Sequence, residues 1–349
     1  MNISTINKVR IQAIAANVPA HTVNYRAFAS QHFTEDLSST ISALGVEERH
    51  VITSAESTAL SLCLPAARKV LQGVDLNEIG AVVMVTLTPD CLMPNNASYA
   101  QHLLGLPTGI AAFDINHACS GYVYGLWNAA LLCQNLQKKV LRLDGDVNSK
   151  YVSPYDKSTD FRFGDAGTAT LLTPDKDAKE WHFTFQTDGS NRDVILMRLG
   201  FKYPVVKEYL DYQLFEDGGN RRFIDMQMDG RKVFDYVVNA VPGLVSDFFD
   251  ELETEAGEYE TLLLHQANHF MLKKLARAIG FDFRSQMPVC MDKYGNTSSV
   301  SIPLNMASKL TQPVGHVLMI GMGAGLATGI ADLSLDGLMN YGVSEDESA

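Results

Sequence analysis

The chain has no excess of positive charge. Its 28 lysines and arginines stand against 40 aspartates and glutamates, a formal net charge of −12. That balance excludes a general nucleic-acid binder, whose footprint is basic, while leaving room for a local basic patch. Cysteine is scarce and unpatterned: Cys63, Cys91, Cys119, Cys133 and Cys290 are odd in number and show no C-x-x-C spacing. A disulfide framework is thereby excluded, and the thiols read as reduced ones in a cytoplasmic enzyme. No grouping of histidines, cysteines and carboxylates has metal-ligand spacing. The opening residues, Met1-Asn2-Ile3-Ser4-Thr5-Ile6-Asn7-Lys8, contain no apolar core of the signal-peptide kind. The longest apolar run, residues 314–333, nears membrane-span length but carries Gly315, Gly321, Gly323, Gly325 and Gly329. That pattern predicts a strand, a tight turn and a second strand in place of a spanning helix.

What is present fits an ordinary globular chain. A length of 349 residues with 46% hydrophobic and 19% charged residues supports two domains or one large two-layer unit with an ample core. Strand-like apolar runs (residues 10–15, 81–87, 110–115, 140–143, 167–172) alternate with segments of helical spacing (59–71, 96–104, 120–136). After a polar stretch, residues 175–229, read as an elaborated connection, the alternation resumes. Helices are expected at 233–251, 270–279 and 302–310, and strands at 261–264, 317–320 and 329–334. Such alternation predicts an α/β fold with a largely parallel sheet. The expected organisation is a first half, residues 1–174, and a second half, residues 175–349, ending in a short acidic and disordered tail at 344–349. Each half supplies one loop after a strand and one helix N-terminus, and a pseudo-two-fold arrangement would bring the four together.

Cys119 is the cysteine with a chemical setting. It lies in Asp114-Ile115-Asn116-His117-Ala118-Cys119-Ser120-Gly121-Tyr122, between a strand-like run and a helix-like one. A thiol at the first turn of a helix meets unpaired N–H groups and the positive end of the dipole, which favour the thiolate. Nucleophilic thiol chemistry also needs a partner group and donors for a developing oxyanion. His265 ends an apolar strand and precedes polar residues, and Asn296 sits in Gly295-Asn296-Thr297-Ser298-Ser299. Alone, each reads as an ordinary structural residue. The order Cys, His, Asn in these settings makes them a candidate catalytic set.

Seven motifs in a fixed order carry a family resemblance. They are Gly45-Val46-Glu47-Glu48-Arg49-His50, Ala118-Cys119-Ser120-Gly121, Phe163-Gly164-Asp165-Ala166-Gly167 and Met228-Asp229-Gly230-Arg231-Lys232-Val233-Phe234, then His265-Gln266-Ala267-Asn268, Gly295-Asn296-Thr297-Ser298 and Gly321-Met322-Gly323-Ala324-Gly325. With them the chain resembles the β-ketoacyl-acyl-carrier-protein synthase III family of the thiolase superfamily. The resemblance implies a five-layered αβαβα fold of two similar halves and a homodimer. It also implies an acyltransferase that needs no cofactor, with coenzyme A or acyl-carrier-protein thioesters as substrates, in fatty-acid or specialised-metabolite synthesis. Cys119 would accept the acyl group. His265 and Asn296 would bind the thioester carbonyl and promote decarboxylation of a malonyl extender. The backbone N–H groups of Cys119 and Ala324 would form the oxyanion hole, and Phe163 would line the substrate pocket.

The chain also departs from that family. The tryptophan and arginine that hold the adenine end of coenzyme A in fatty-acid-initiating members correspond by spacing to Ser39 and Ala43, and a further arginine corresponds to Phe270. Lys157 keeps a basic residue before the Phe-Gly-Asp motif. A carrier-bound or unusual acyl donor gains weight accordingly. His117 either lines the pocket or bonds away from it, and Met93 either tunes an acyl pocket across a dimer or simply packs there. Lys273, Lys274, Arg277 and Arg231 either dock an acidic carrier protein or form a solvated face. Two other functions stay open: transfer of the acyl group to an alcohol or amine, and a non-catalytic subunit of a heteromeric synthase.

Overall fold

The computed structural model describes every residue except 161, 201 and 204. Eleven strands build its two main sheets. The first has the order β11-β2-β6-β5-β3-β4, with β2 Val9–Pro19, β3 Ile79–Val85, β4 Ala111–Ile115, β5 Lys139–Val147, β6 Asp165–Pro174 and β11 Met339–Asp346. The second has the order β1-β7-β10-β9-β8, with β1 Ser4–Ile6, β7 Trp181–Thr187, β8 Thr261–Leu264, β9 His316–Gly323 and β10 Ala327–Ser334. Both sheets mix parallel and antiparallel pairs: β3 pairs parallel with β4 and β5, and β8 with β9, while β6 and β10 run antiparallel to both neighbours.

The period-two alternation of side chains turns both sheets into two-sided walls. In the first sheet Ala81 and Val83 face inward, while Val82 and Met84 face outward; in the second, Leu263, Val317 and Met319 face inward, and Leu262, Leu264, Leu318 and Ile320 outward. Between the inner faces lie α3, Gly121–Leu136, and α6, Ser301–Lys309, contributing Tyr122, Val123, Leu126, Ile302 and Met306 to a shared core. Helices α1, Ala59–Val70, and α2, Asn96–Leu103, cover the outer face of the first sheet. The outer face of the second is covered by α5, His269–Ala278, and by α4, Val241–Leu252. The result is the five-layered αβαβα sandwich.

Local chemistry starts these helices where the sequence predicts them. Thr58 and Ser61 form a reciprocal capping box on α1, Asn95 accepts the Ser98 N–H at the start of α2, and Asn268 caps α5 through the Met271 N–H. Residues 233–251 run helically as expected, but Tyr236–Ala240 is a π-helical turn between Gly230–Asp235 and α4. Such turns frequently mark functional sites.

Three expectations fail. The sheets are not largely parallel, because four of their strand pairings are parallel and five antiparallel. Residues 175–229 do not form one connection, because β7 takes a place beside β10 with Trp181 and Phe183 in the core. Nor is the acidic end disordered. Residues 344–346 belong to β11, which pairs parallel with β2, so the edge of β2 has its hydrogen-bonding groups filled. Ser344 Oγ donates to Asn17 Oδ1 at 2.9 Å, Thr53 Oγ1 donates to the Ala349 carbonyl at 3.0 Å, and Ala349 is buried. Charge on the outward side chains misleads here, because backbone pairing holds the segment.

Candidate active site

Cys119, His265, Asn296 and Ser298 line one cavity of about 680 Å³. Cys119 sits just ahead of Ser120, the N-cap of α3, one position outside the first turn. The glycine-rich end of β9 packs against this turn. A Cβ on Gly323 would lie 2.7 Å from the Cys119 Cβ, and one on Gly321 3.0 Å from the Ser120 Cα. Only glycine permits that approach. It also sets Ala324 beside Cys119 in the cavity wall.

The thiol is not the poised thiolate that its position suggests. Burial pushes its pKa up to about 12, the charge of Asp146 adds to the shift, and a long hydrogen bond from Sγ to Ser298 Oγ, 3.9 Å, opposes it. Desolvation outweighs the dipole because the sulfur faces an apolar chamber.

His265 follows β8, and Ile320 of β9 fixes its backbone by accepting the His265 N–H at 3.0 Å. Burial pushes the imidazole down to about 4, with the Ser298 backbone opposing, so the ring is neutral at neutral pH. Its Nδ1 lies 2.7 Å from Ser301 Oγ, and that oxygen accepts the Gln266 N–H at 3.3 Å. In the tautomer where the Ser301 hydroxyl donates to Nδ1, the ring proton sits on Nε2.

Asn296 is fixed by the same logic. Its N–H donates to the Arg162 carbonyl at 2.5 Å, its carbonyl accepts the Gly164 N–H at 3.0 Å, and its Oδ1 accepts the Ser298 N–H at 2.8 Å. With Oδ1 engaged, Nδ2 is the end left to donate. Ser298 holds a positive φ of 56° at this bend, a conformation that non-glycine residues keep where the surroundings impose it.

Behind the loop stands Asp146, fully buried at the end of β5. It accepts from Thr86 Oγ1 (3.2 Å), the Leu87 N–H (2.9 Å) and Ser299 Oγ (3.1 Å), and burial raises its pKa to about 6. The Ser298 side chain also bonds to it. One carboxylate thus ties the 86–88 loop of the first half to the 296–299 loop of the second.

The family model of 3-oxoacyl-[acyl-carrier-protein] synthase III matches residues 113–189, and the model of its C-terminal part matches residues 249–334. A β-ketoacyl-[acyl-carrier-protein] synthase III from Streptococcus sanguinis is 31% identical over 93% of this chain and 98% of its own. The chain belongs to the 3-oxoacyl-[acyl-carrier-protein] synthase III family. Among solved structures, a 3-oxoacyl-(acyl-carrier protein) synthase from Burkholderia xenovorans is 32% identical, covers 99% of both chains and superposes with a TM-score of 0.90. The priming β-ketosynthase of the R1128 polyketide pathway, 23% identical with a TM-score of 0.81 over 95% of this chain and 97% of its own, shares the fold.

The remaining candidate residues fall in three places. Phe163 lines the cavity of this synthase III family member, bridged to Asn296. His117, Met93 and Phe270 stand outside the lining residues. His117 Nδ1 lies 3.1 Å from Ser120 Oγ and its ring stacks on Tyr124 at 4.2 Å, so it is bonded away from the thiol. Met93 is 86% exposed, beside exposed Leu92. Phe270 is half exposed, stacks on Phe234 at 5.9 Å and carries the Lys274 ammonium 4.9 Å above its ring. Lys273, Lys274, Arg277 and Arg231 are exposed, and none is ion-paired among the described residues. Lys157 pairs with Glu35 at 2.7 Å, while Ser39 and Ala43 lie exposed nearby in sequence.

Sequence reasoning missed Asp146, Ser298 and Arg162. Ser298 stood inside a recognised motif, and Asp146 in a strand run whose charge, Arg142-Leu143-Asp144-Gly145-Asp146, was itself a signal. Arg162 lines the cavity with its Nε donating to the Ser158 carbonyl at 2.9 Å.

Proposed function

We propose that this chain is a decarboxylating condensing enzyme that takes an acyl group onto Cys119 and joins it to a malonyl thioester. One observation carries the reading. His265 Nδ1 bonds to Ser301 Oγ and Asn296 Oδ1 accepts the Ser298 N–H; with the imidazole taken as its Nε2–H tautomer, Nε2–H and Nδ2–H are two neutral donors in the cavity wall that holds the thiol.

In the first step the Cys119 sulfur attacks an acyl thioester, and the proton it gives up leaves with the released thiol. Resting as a thiol suits a site that must not react before its donor binds. The backbone N–H groups of Cys119 and Ala324 hold the oxyanion as the acyl group passes. In the second step malonyl-thioester loses carbon dioxide, and the enolate oxygen accepts from His265 and Asn296. Neutral donors stabilise that oxygen without quenching the carbanion, a role that an imidazolium would serve badly. The carbanion attacks the Cys119 acyl carbonyl and the sulfur departs.

The unpaired cations of α5 and Arg231 are read as the landing site for an acidic acyl carrier protein, steered by charge. With the coenzyme-A-gripping positions changed to Ser39, Ala43 and Phe270, the carrier is the favoured donor. Five free cysteines and the absence, among the described residues, of a helix long and apolar enough to cross a membrane fit a cytoplasmic enzyme.

The test uses intact mass after incubation with acyl thioesters and malonyl-carrier protein. Acylation of Cys119 followed by carbon–carbon bond formation is expected. Asn296→Ala should cut condensation about a hundredfold while leaving self-acylation within about threefold, since an oxyanion donor is worth 10²–10³ in rate. Equal loss of both steps would refute the role given to Asn296. Transfer only to an added alcohol or amine would replace the condensation reading.

A further inference from the structure

The cavity is far larger than a two-carbon acyl group needs. Its volume of about 680 Å³ lies well within the ~300–1,000 Å³ that buries a drug-sized ligand. At roughly 30 Å³ for each water-sized group, it holds on the order of twenty heavy atoms. The inner part of a thioester arm does not fill that.

The wall that makes the space comes from residues 188–229. Ile195, Met197, Leu199, Tyr203, Met226 and Met228 line the cavity from that segment. The wall is pinned. Ile195 pairs with Met228 across a short antiparallel ribbon, the Met226 N–H donates to the Tyr151 carbonyl at 2.7 Å, and the Asp229 N–H donates to the Val194 carbonyl at 2.8 Å. On its outer side the ribbon is held by Arg198, which donates to Gln227 Oε1 at 2.5 Å and lies 4.9 Å from the Phe223 ring. An anchored apolar wall keeps the chamber open where a loose loop would collapse into it.

The lining is also chemically selective. Met197, Met226, Met228, Met271 and Met322 all face it. Methionine is unbranched and adaptable, and it conforms to a flexible chain. The cation in the wall, Arg162, is turned toward the helical start at residue 230: its Nη2 would lie 4.0 Å from a Cβ on Gly230, while its Nε holds the Ser158 carbonyl.

We infer that the acyl group carried by Cys119 is a straight saturated chain of medium length, about six to ten carbons, lying against the methionine-rich wall of residues 195–228. This rests on the condensing-enzyme reading and names its donor class. Each buried methylene favours transfer by roughly fourfold until the chamber is full. Six further methylenes set a ceiling of roughly a few thousandfold at full burial, and octanoyl donors should outrun acetyl donors by at least about tenfold.

The experiment compares acetyl-, butyryl-, octanoyl-, tetradecanoyl-, benzoyl- and adipoyl-carrier protein with the full chain, following Cys119 adducts by intact mass over time. A maximum at octanoyl is the expected result. Acetyl equal to or faster than octanoyl overturns the proposal, as does benzoyl leading the series. Adipoyl leading would assign Arg162 to a terminal carboxylate and also overturn it. No Cys119 adduct from any donor would instead sink the condensing-enzyme reading itself. Met226→Trp and, separately, Met228→Trp should lower the octanoyl-to-acetyl ratio about tenfold in protein whose thermal unfolding stays cooperative. An unchanged ratio in both folded variants removes the wall from chain selection.

Discussion

Lost solvation holds the Cys119 thiol neutral, the bond to Ser298 Oγ at 3.9 Å opposes it, and the negative charge of Asp146 adds to it. Reactivity should follow from this. Because the thiolate is the nucleophile, alkylation of Cys119 by iodoacetamide should rise about tenfold per pH unit from about pH 7 to pH 10 without levelling. Peptide mass spectrometry would read this separately from exposed Cys91, and a plateau near pH 8 would contradict the raised value. Asp146→Asn carries two opposed expectations. Removing the charge lowers the barrier to ionisation, so alkylation at pH 8 should quicken. The amide cannot accept every bond that Thr86, Leu87 and Ser299 now give, so the 296–299 loop loosens. Condensation should then fall about tenfold to a hundredfold, the rate equivalent of ~1–3 kcal/mol for an unsatisfied buried group. If both rates fell together, the residue would be serving stability alone.

Elements, more than residues, decide what holds the second sheet together. Asp332 of β10 takes His182 Nδ1 of β7 at 3.0 Å and His316 Nε2 of β9 at 2.5 Å. The bond to Asp332 raises the His316 pKa above its ordinary value near 6.5. A folded-state pKa above the unfolded one gives stability that is full below about pH 6.5 and is lost as pH climbs through the higher value. The deficit of a His316→Gln variant in denaturant midpoint should therefore be larger at about pH 5.5 than at about pH 8.5. The reverse order would remove this pairing from the account. For β11, deleting residues 339–349 strips the edge of β2 and should cost several kcal/mol by urea unfolding, since each lost backbone hydrogen bond forfeits ~0.5–1.5 kcal/mol.

The contrast between these elements explains what was readable. Strands β3, β5, β8 and β9 announce themselves as short apolar runs because both of their faces are buried, and α1, α2 and α5 carry their caps in sequence. Motif order singled out Cys119, His265 and Asn296 as a candidate set, and the three line one cavity. β7 was hidden because Thr184 and Gln186 break its apolar run, and β11 because its outer residues are acidic. Asp146 was hidden for another reason: nothing local tells that a carboxylate in a core strand will find its partners on loops as distant as residues 86–88 and 299.

At the scale of the whole molecule, Leu92 at the cavity rim, the adjoining Met93, and Tyr99 on α2 are large apolar side chains at 74%, 86% and 53% exposure. We propose that these side chains form an interface, with a second copy of the chain as its occupant. Light scattering should give twice the 38.3 kDa chain mass. A Leu92→Asp, Met93→Asp double variant should run as a monomer with impaired acyl transfer, and a monomeric native chain would refute the dimer.

The strand order has one more consequence, and it concerns synthesis. β1, from the first residues, completes the second sheet against β7, while β11, from residues 339–346, completes the first sheet against β2. The first sheet therefore waits for β11 from the far end of the polypeptide, whereas β1 is already made when the rest of the second sheet arrives. A ribosome releasing this chain exposes the open edge of β2 for the whole of elongation, at roughly 5–20 residues per second. During that interval the open edge of β2 is a template for pairing with another chain, and that exposure ends when β11 docks.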